Sequence, residues 1–370
     1  MAATHPGPLA GFRLVEMDAI GPVPLAATLL ADLGCDVLRV VRPPHPGSAW
    51  EDVGGAILHR GRHSLTLDLK SEAGRDAVLT LVAGADALIE GYRPGVMERM
   101  GLGPEACLAR NPRLVYGRMT GWGQTGPLAP RAGHDINYIA VAGILHAIGP
   151  ADAPPVVPLN IIGDYAGGAM FLVAGLLSGL LSAARTGRGQ VVDAAMTDGT
   201  ALLGSLFHAF LATGQWQDRR EANLLDGAAP FYRCYECADG RHVAVGALEP
   251  PFFARLLAGL GLPTGRFVQY DQAGWPAMRE VFADIFRTRS RDAWALHFAD
   301  TDACVSPVLS LAEARDHPHN RARGTFVTLD GVAQPGPAPR FSGTPGAVRP
   351  AGVDLSLQAA LARWSLSADR

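Results

Sequence analysis

Lysine is almost missing: Lys70 is the only one in 370 residues, and every other member of the 32 Lys+Arg residues is arginine. A GC-rich gene writes arginine wherever a cation is needed, which accounts for the bias without a function. Charge is scarce as well, at 18% of residues with a formal net charge of −3. A general nucleic-acid or membrane-surface binder needs a basic excess, so both classes are excluded and the basic groups must act locally. Cysteine is sparse and odd in number, at 35, 107, 234, 237 and 304. Only Cys234-Tyr235-Glu236-Cys237 has metal or redox spacing, and no second pair or matching histidines follow, so no metal site is expected. These read as ordinary cysteines of a reducing compartment, and no basic-then-apolar leader or C-terminal targeting tripeptide (Ser367-Ala368-Asp369-Arg370) is recognised, so a cytoplasmic location is expected. What is present is a chain 48% hydrophobic, able to bury a large core and long enough for two domains.

The stretch from Tyr165 to Ala184 carries no charge and is long enough to cross a bilayer. It is rich in glycine and serine and has no aromatic belt. With Asp164 as a natural N-cap and Gly187 as a left-handed C-cap, it reads as a fully buried helix and not as a membrane span.

Before it, strand and helix alternate. Strands are expected at Leu14 to Met17, Asp36 to Val41, Ser64 to Leu69, Ala85 to Glu90 and Leu114 to Met119. Between them lie a helix from Leu25 to Leu33, with apolar positions Leu25, Leu29 and Leu33, and one from Ser71 to Ala83 capped by Ser71. Such alternation implies an α/β domain with a parallel sheet covered on both faces. A dinucleotide site is disfavoured, because the first turn reads Gly21-Pro22-Val23-Pro24 and the prolines replace donor amides.

A buried strand is expected at Gln190 to Met196, then a helix to about Phe210, after which the character changes. Tyr232 to Cys237 and His242 to Ala247 form a hairpin around Asp239-Gly240, a pair that favours a type I′ turn. Helices at Pro251 to Leu260, Trp275 to Arg287 and Arg291 to Ala299 complete a smaller α+β domain. The tail beyond 331 reads as too proline-broken for regular elements until a helix near Leu357 to Trp364. The expected division is 1–224 for the large domain, 225–325 for the small one and 326–370 for a segment returning to the large domain.

Three residues stand out as candidates for chemistry: His134, Asp164 and Glu249. An imidazole and a carboxylate on opposite sides of one carbon remove a proton from one face and return it on the other. Near pH 7 the imidazole is partly neutral, while Asp164 needs partial burial to hold a proton. If Asp164 begins its helix, the first-turn amides face a place where an oxyanion would sit, although the same geometry lowers the aspartate's pKa. Taken singly, His134 is as well explained as a loop hydrogen-bonder, Asp164 as a cap and Glu249 as a helix-start acid.

Nearly the whole chain resembles the α-methylacyl-CoA racemases of the family III CoA-transferase (CaiB/BaiF) superfamily. The matching runs include Ala31-Asp32-Leu33-Gly34, Leu67-Asp68-Leu69-Lys70, Glu90-Gly91-Tyr92-Arg93-Pro94-Gly95-Val96, Arg118 to Pro127, Gly133-His134-Asp135-Ile136-Asn137-Tyr138, Asn160 to Asp164 and Tyr235 to Gly240. The resemblance implies His134 and Asp164 as the two bases, with Glu249 pairing with the histidine to fix its tautomer. It implies that the CoA handle is held by Arg42, Arg93 and Arg99 on phosphate, by Leu67, Asp68, Leu69, Lys70, Gly91 and Tyr92 on the adenine and ribose side, and by Gly133, Asp135, Ile136, Asn137 and Tyr138. Val41 stands where the family commonly has an acidic residue.

The implied fold is a Rossmann-like large domain and a smaller α+β domain, in two chains threaded through one another as an interlocked homodimer. The implied activity is a racemase of 2-methylacyl-CoA thioesters that uses no separate cofactor, CoA entering with the substrate. Related acyl-CoA transferases use the aspartate matching Asp164 as a nucleophile and typically carry tyrosine where this chain has His134. A transferase is therefore the first alternative, and a non-catalytic acyl-CoA carrier the second. Ile20, Met196 and Leu225 are expected on the acyl surface.

Overall fold

A computed structural model describes residues 7–43 and 54–366; the C-terminal Ser367-Ala368-Asp369-Arg370 lies outside them. The chain divides into two compact units, one from Met1–Ala142, Leu159–Gly204 and Pro318–Arg370, the other from Gly143–Pro158 and Ser205–His317. The sequence reading sets the changes at 224/225 and 325/326, whereas the units change over at 204/205 and 317/318.

In the first unit six parallel strands, β1 (Arg13–Met17), β2 (Asp36–Val41), β3 (His63–Thr66), β4 (Ala87–Glu90), β5 (Val115–Thr120) and β6 (Gln190–Ala195), are arranged in the order β3-β2-β1-β4-β5-β6. Both faces are covered, so successive residues enter different cores. On β1, Leu14 joins Val23, Ala26, Leu30, Leu172 and Leu176 on one side. Val15 and Met17 join Leu38, Val40, Leu81, Val82 and Trp364 on the other. The outer strand β6 is largely exposed over its first half, contrary to the buried strand expected there.

Helix Pro22–Asp32 also differs from expectation. Its fully buried positions include Val23, Ala26, Ala27, Leu30 and Ala31, while Leu25 and Leu29 are only half-buried. The alanines bring the helix close to the sheet, leaving the bulkier leucines on its flanks. Ser71 caps Glu72–Ala83 as expected, its hydroxyl accepting from the Gly74 amide at 3.0 Å.

Helix Ile161–Thr186 is long and apolar enough to cross a membrane by length and composition, with mean hydropathy 1.8. It packs as a core helix on β5 and β6: a Cβ on Gly117 would meet Leu172 and Leu176, and one on Gly179 would meet Val115. It is not fully buried, since Leu181 is 64% exposed. It also starts earlier than expected. Ile161–Ala169 is a nine-residue π-helix with Asn160 at the N-cap, continuing as an α-helix over Met170–Thr186, with Gly187 as the left-handed C-cap. Asp164 therefore lies inside the first turn and is not the cap.

The tail holds a hairpin that the sequence reading left out. Phe326–Leu329 (β10) pairs antiparallel with Val332–Pro335 (β11), and Asp330 (φ 50) and Gly331 (φ 79) are both left-handed, as a two-residue type I′ loop requires. The pattern of Asp-Gly between apolar residues was there, but neighbouring prolines masked it. Helix Leu357–Arg363 follows.

In the second unit Tyr232–Glu236 (β7), His242–Gly246 (β8) and Val305–Pro307 (β9) form an antiparallel sheet. Helices Pro250–Gly259, Trp275–Phe286 and Arg291–Phe298 build an aromatic core with it, including Phe231, Phe253, Phe282, Phe286 and Trp294. The hairpin turn is not type I′: only Gly240 is left-handed, and the Gly240 and Cys237 amides donate to Cys237 O and Arg241 O, closing a longer loop.

Candidate active site

In an open parallel sheet, ligands bind beyond the carboxyl ends of the strands where the strand order reverses. Here the reversal falls between β1 and β4, so the crevice opens between the segments that follow Met17 and Glu90. Glycine is required at 91, because a Cβ there would come 2.9 Å from Val23 Cγ2 and 3.1 Å from Ala19 Cβ.

The Glu90 carboxylate holds this loop. Fully buried, it accepts from the Tyr92 amide at 2.7 Å and from Arg118 Nε at 3.1 Å. Burial pushes its pKa up to about 7, against the opposing pull of the Tyr92 amide and Arg118. Burial likewise pushes the Tyr92 phenol up to about 12, with Arg42 acting in the other direction, so Arg42 at the end of β2 and Tyr92 after β4 share one neighbourhood. The Tyr92 hydroxyl is buried without a hydrogen-bond partner among the described residues. Leu67 extends the pairing with β2 through its amide to Val41 O at 2.9 Å. Asp68 and Lys70 are exposed, the Lys70 amide donating to Asp68 Oδ1 at 3.0 Å, whereas Leu69 points into the core at 4% exposure. Arg93 and Arg99 are exposed.

His134, exposed, precedes helix Asp135–Val141 as its N-cap. Its amide donates to Asn137 Oδ1 at 3.0 Å, and the Asn137 amide returns to His134 O at 2.8 Å, which sets the direction in which the imidazole leaves the chain. Tyr138 is packed behind it, edge-to-face with Trp122 at 4.8 Å and donating its hydroxyl to Gly133 O. Its ring fills the space that a Cβ on Gly121 or Gly133 would take, so Tyr138 supports the loop. Ile136 and Asn137 are exposed, and Asp135 is buried.

Asp164 comes from the π-helix, a geometry that recurs at functional sites. Glycines permit it: a Cβ on Gly167 would lie 2.7 Å from Thr200 Oγ1, and one on Gly168 3.1 Å from Met196 Cγ. Of the residues expected on the acyl surface, Met196 is buried, 7% exposed, Ile20 is exposed and Leu225 is half-buried. Asp164 Oδ2 accepts from Asn160 Nδ2 at 3.1 Å and faces Gly21, where a Cβ would stand 3.4 Å away. The Asp164 amide donates to Asp135 Oδ2 at 2.7 Å, so it is not free for an oxyanion as the capping geometry had suggested. Burial chiefly, and Asp135 in addition, raise the Asp164 pKa, while the Asn160 hydrogen bond and His134 lower it. His134 and Asp164 thus lie within electrostatic reach of each other. Asn160 and Gly21 escaped the sequence reading as site residues, although both sit in conspicuous runs, Asn160 four residues before Asp164 and Gly21 before two closely spaced prolines.

Glu249 belongs to the second unit, at the N-cap of helix Pro250–Gly259, exposed and making no side-chain capping bond. Its charge bears on Cys304, whose thiol is raised chiefly by burial.

The sequence model of CoA-transferase family III matches residues 9–352. The chain is 45% identical over 340 residues to the α-methylacyl-CoA racemase of Mus musculus, and 43% identical over 339 residues to that of Homo sapiens, in each case over 91% of this chain and 87% of the relative. A crystal structure of a CaiB/BaiF family protein from Brucella suis superposes with a TM-score of 0.81 at 28% identity, covering 98% of this chain and all of that one.

Proposed function

Because the chain belongs to CoA-transferase family III, we propose that it is an isomerase interconverting (R)- and (S)-2-methylacyl-CoA thioesters by 1,1-proton transfer through an enolate. The observation that carries this reading is the pairing of His134 with an Asp164 whose carboxyl is biased toward holding a proton by its surroundings. The racemase names of the mouse and human relatives support it.

With the (S) substrate, neutral His134 takes the α-proton while protonated Asp164 delivers one to the opposite face; with the (R) substrate the roles reverse. Protons balance, and no separate cofactor is invoked. Binding of CoA holds the α-carbon between the two groups, which supplies much of the acceleration. The handle is Arg42, Arg93 and Arg99 on phosphate, residues 67–70 with Gly91 and Tyr92 on the nucleoside, and the 133–138 turn near the thioester. The protein works as an interlocked homodimer in the cytoplasm, and exposed apolar side chains such as Val141 at 63% and Leu202 at 61% are surfaces for a partner copy to cover. Activity should then be lost on dilution to monomer.

The direct test is incubation with (S)-2-methylacyl-CoA in D₂O without any other acid, followed by NMR at the α-carbon. Deuterium incorporation with conversion to the (R) form is expected. A bound thioester that never exchanges would overturn the reading in favour of a transferase with Asp164 as nucleophile, detectable by hydroxylamine trapping of its anhydride. His134→Ala should lower turnover at least about 10²-fold with CoA affinity kept; unchanged turnover would remove His134 from the chemistry.

A further inference from the structure

Resting on the racemase reading, we propose that Asp135 is a positioning residue: its carboxylate ties the segment bearing His134 to the helix bearing Asp164, and its charge keeps Asp164 competent as the acid. Asp135 follows His134 directly, yet its side chain turns inward and is only 5% exposed. There Oδ2 accepts from the Asp164 amide at 2.7 Å. That amide lies in the first turn of the π-helix, where the helix itself offers no acceptor, so the bond supplies from another element what the helix lacks. One side chain therefore bridges the backbone beside one base to the backbone of the other.

Two further observations favour a functional strut over a simple cap. Oδ1 of the same carboxylate is buried without a hydrogen-bond partner among the described residues, an expensive arrangement for a side chain that serves only as a cap. Gly163 leaves the necessary room: a Cβ there would come 2.7 Å from Asp135 Oδ2. The groups bearing on Asp164 are Asp135 and His134 from the adjoining segment, and Asn160 from its own. Tyr138 and, beyond it, Arg93 lie in the same field. Helix Pro22–Asp32 presents Gly21 to the carboxylate, and Met196–Leu203 presents Thr200 to Gly167 of the same π-helix, neither of them ionisable. Asp135 is thus the nearby anion that opposes ionisation of Asp164.

The test is the pH profile of kcat/KM for racemisation, in which the acid limb reports the first macroscopic pKa of the His134/Asp164 pair. Asp135→Asn keeps an oxygen for the Asp164 amide and removes the charge, so the acid limb should move to lower pH with KM little changed. Asp135→Ala removes the bond as well, and kcat should fall by about tenfold or more. Gly163→Ala displaces the carboxylate from the other side without touching it chemically, and should lower kcat with CoA affinity kept, which covers the case of Asp135 variants that fail to fold. Wild-type profiles and kcat in folded variants would overturn the proposal. Wild-type enzyme that does not exchange the α-proton would instead overturn the racemase reading on which it rests.

Discussion

Two carboxylates at the same sheet edge are buried to different ends. Glu90 is fully enclosed and meets Arg118, so its charge has a cation to answer it. Asp164 is half-buried, with no arginine or lysine paired to it among the described residues, and the anion that bears on it is Asp135. The first arrangement spends the carboxylate on holding the Gly91–Arg93 loop. The second leaves a carboxyl group whose surroundings favour its holding a proton, the property that the proposed acid role needs.

The contrast is sharpest if the two sites are broken differently. Glu90→Ala leaves Arg118 facing only Glu98 and frees the Tyr92 amide; removing one partner of a buried pair should cost about 3–5 kcal/mol of unfolding free energy, read by urea denaturation, with CoA binding weakened in the folded fraction. A loss below 1 kcal/mol would mean that Arg118 is already satisfied by Glu98. Next comes the pH dependence. The Glu90 pKa is raised in the folded state from 4.5 to about 7, so its contribution is fully present below pH 4.5 and is lost as pH rises through 7. Relative to Glu90→Gln, wild type should lose about 3 kcal/mol across that window, and parallel stability curves would contradict the assignment.

Gly21→Ala tests the other carboxylate. Gly21 has φ 74 and ψ −122, a conformation essentially restricted to glycine, so alanine should cost about 1–3 kcal/mol and reduce kcat by crowding Asp164; wild-type stability and kcat would show that the turn adapts. The smallest effect is expected from Asn160→Ala. Losing that hydrogen bond to the ionised form should raise the Asp164 pKa and move the acid limb of kcat/KM upward, opposite to Asp135→Asn, with about 1 kcal/mol at stake. A shift in the same direction for both variants would refute the roles given to the two side chains.

Much of this was legible in the chain. The alternation from Leu14 to Met119 announces the parallel sheet, because strands buried on both faces need near-continuous apolar runs, and the Gly133 to Tyr138 and Asn160 to Asp164 runs carry the two proposed bases. What local pattern could not carry was geometry imposed by neighbours. The helix containing Asp164 starts four residues early and winds wide because Gly163, Gly167 and Gly168 let other elements press against it, which no capping preference encodes. The role of Asp135 was hidden for a similar reason. As part of a matching run it reads as a CoA contact, and the inward turn of its side chain, which suggests support, is visible only in the structure. The Asp330-Gly331 hairpin was missed because neighbouring prolines outweighed a turn signal that was correct.

The nine wide residues before Met170 also set a phase. In a regular α-helix each residue advances about 100° around the axis, and in the wider helix each advances less, so rewinding Ile161–Ala169 as ordinary α-helix at unchanged length would turn the Asp164 carboxylate away from Gly21. The buried face over Leu172 and Leu176 would stay locked on the sheet. The segment therefore acts as a vernier between the scaffold and the Asp164 carboxylate, in which a change of winding, with every side chain kept, is enough to move that group.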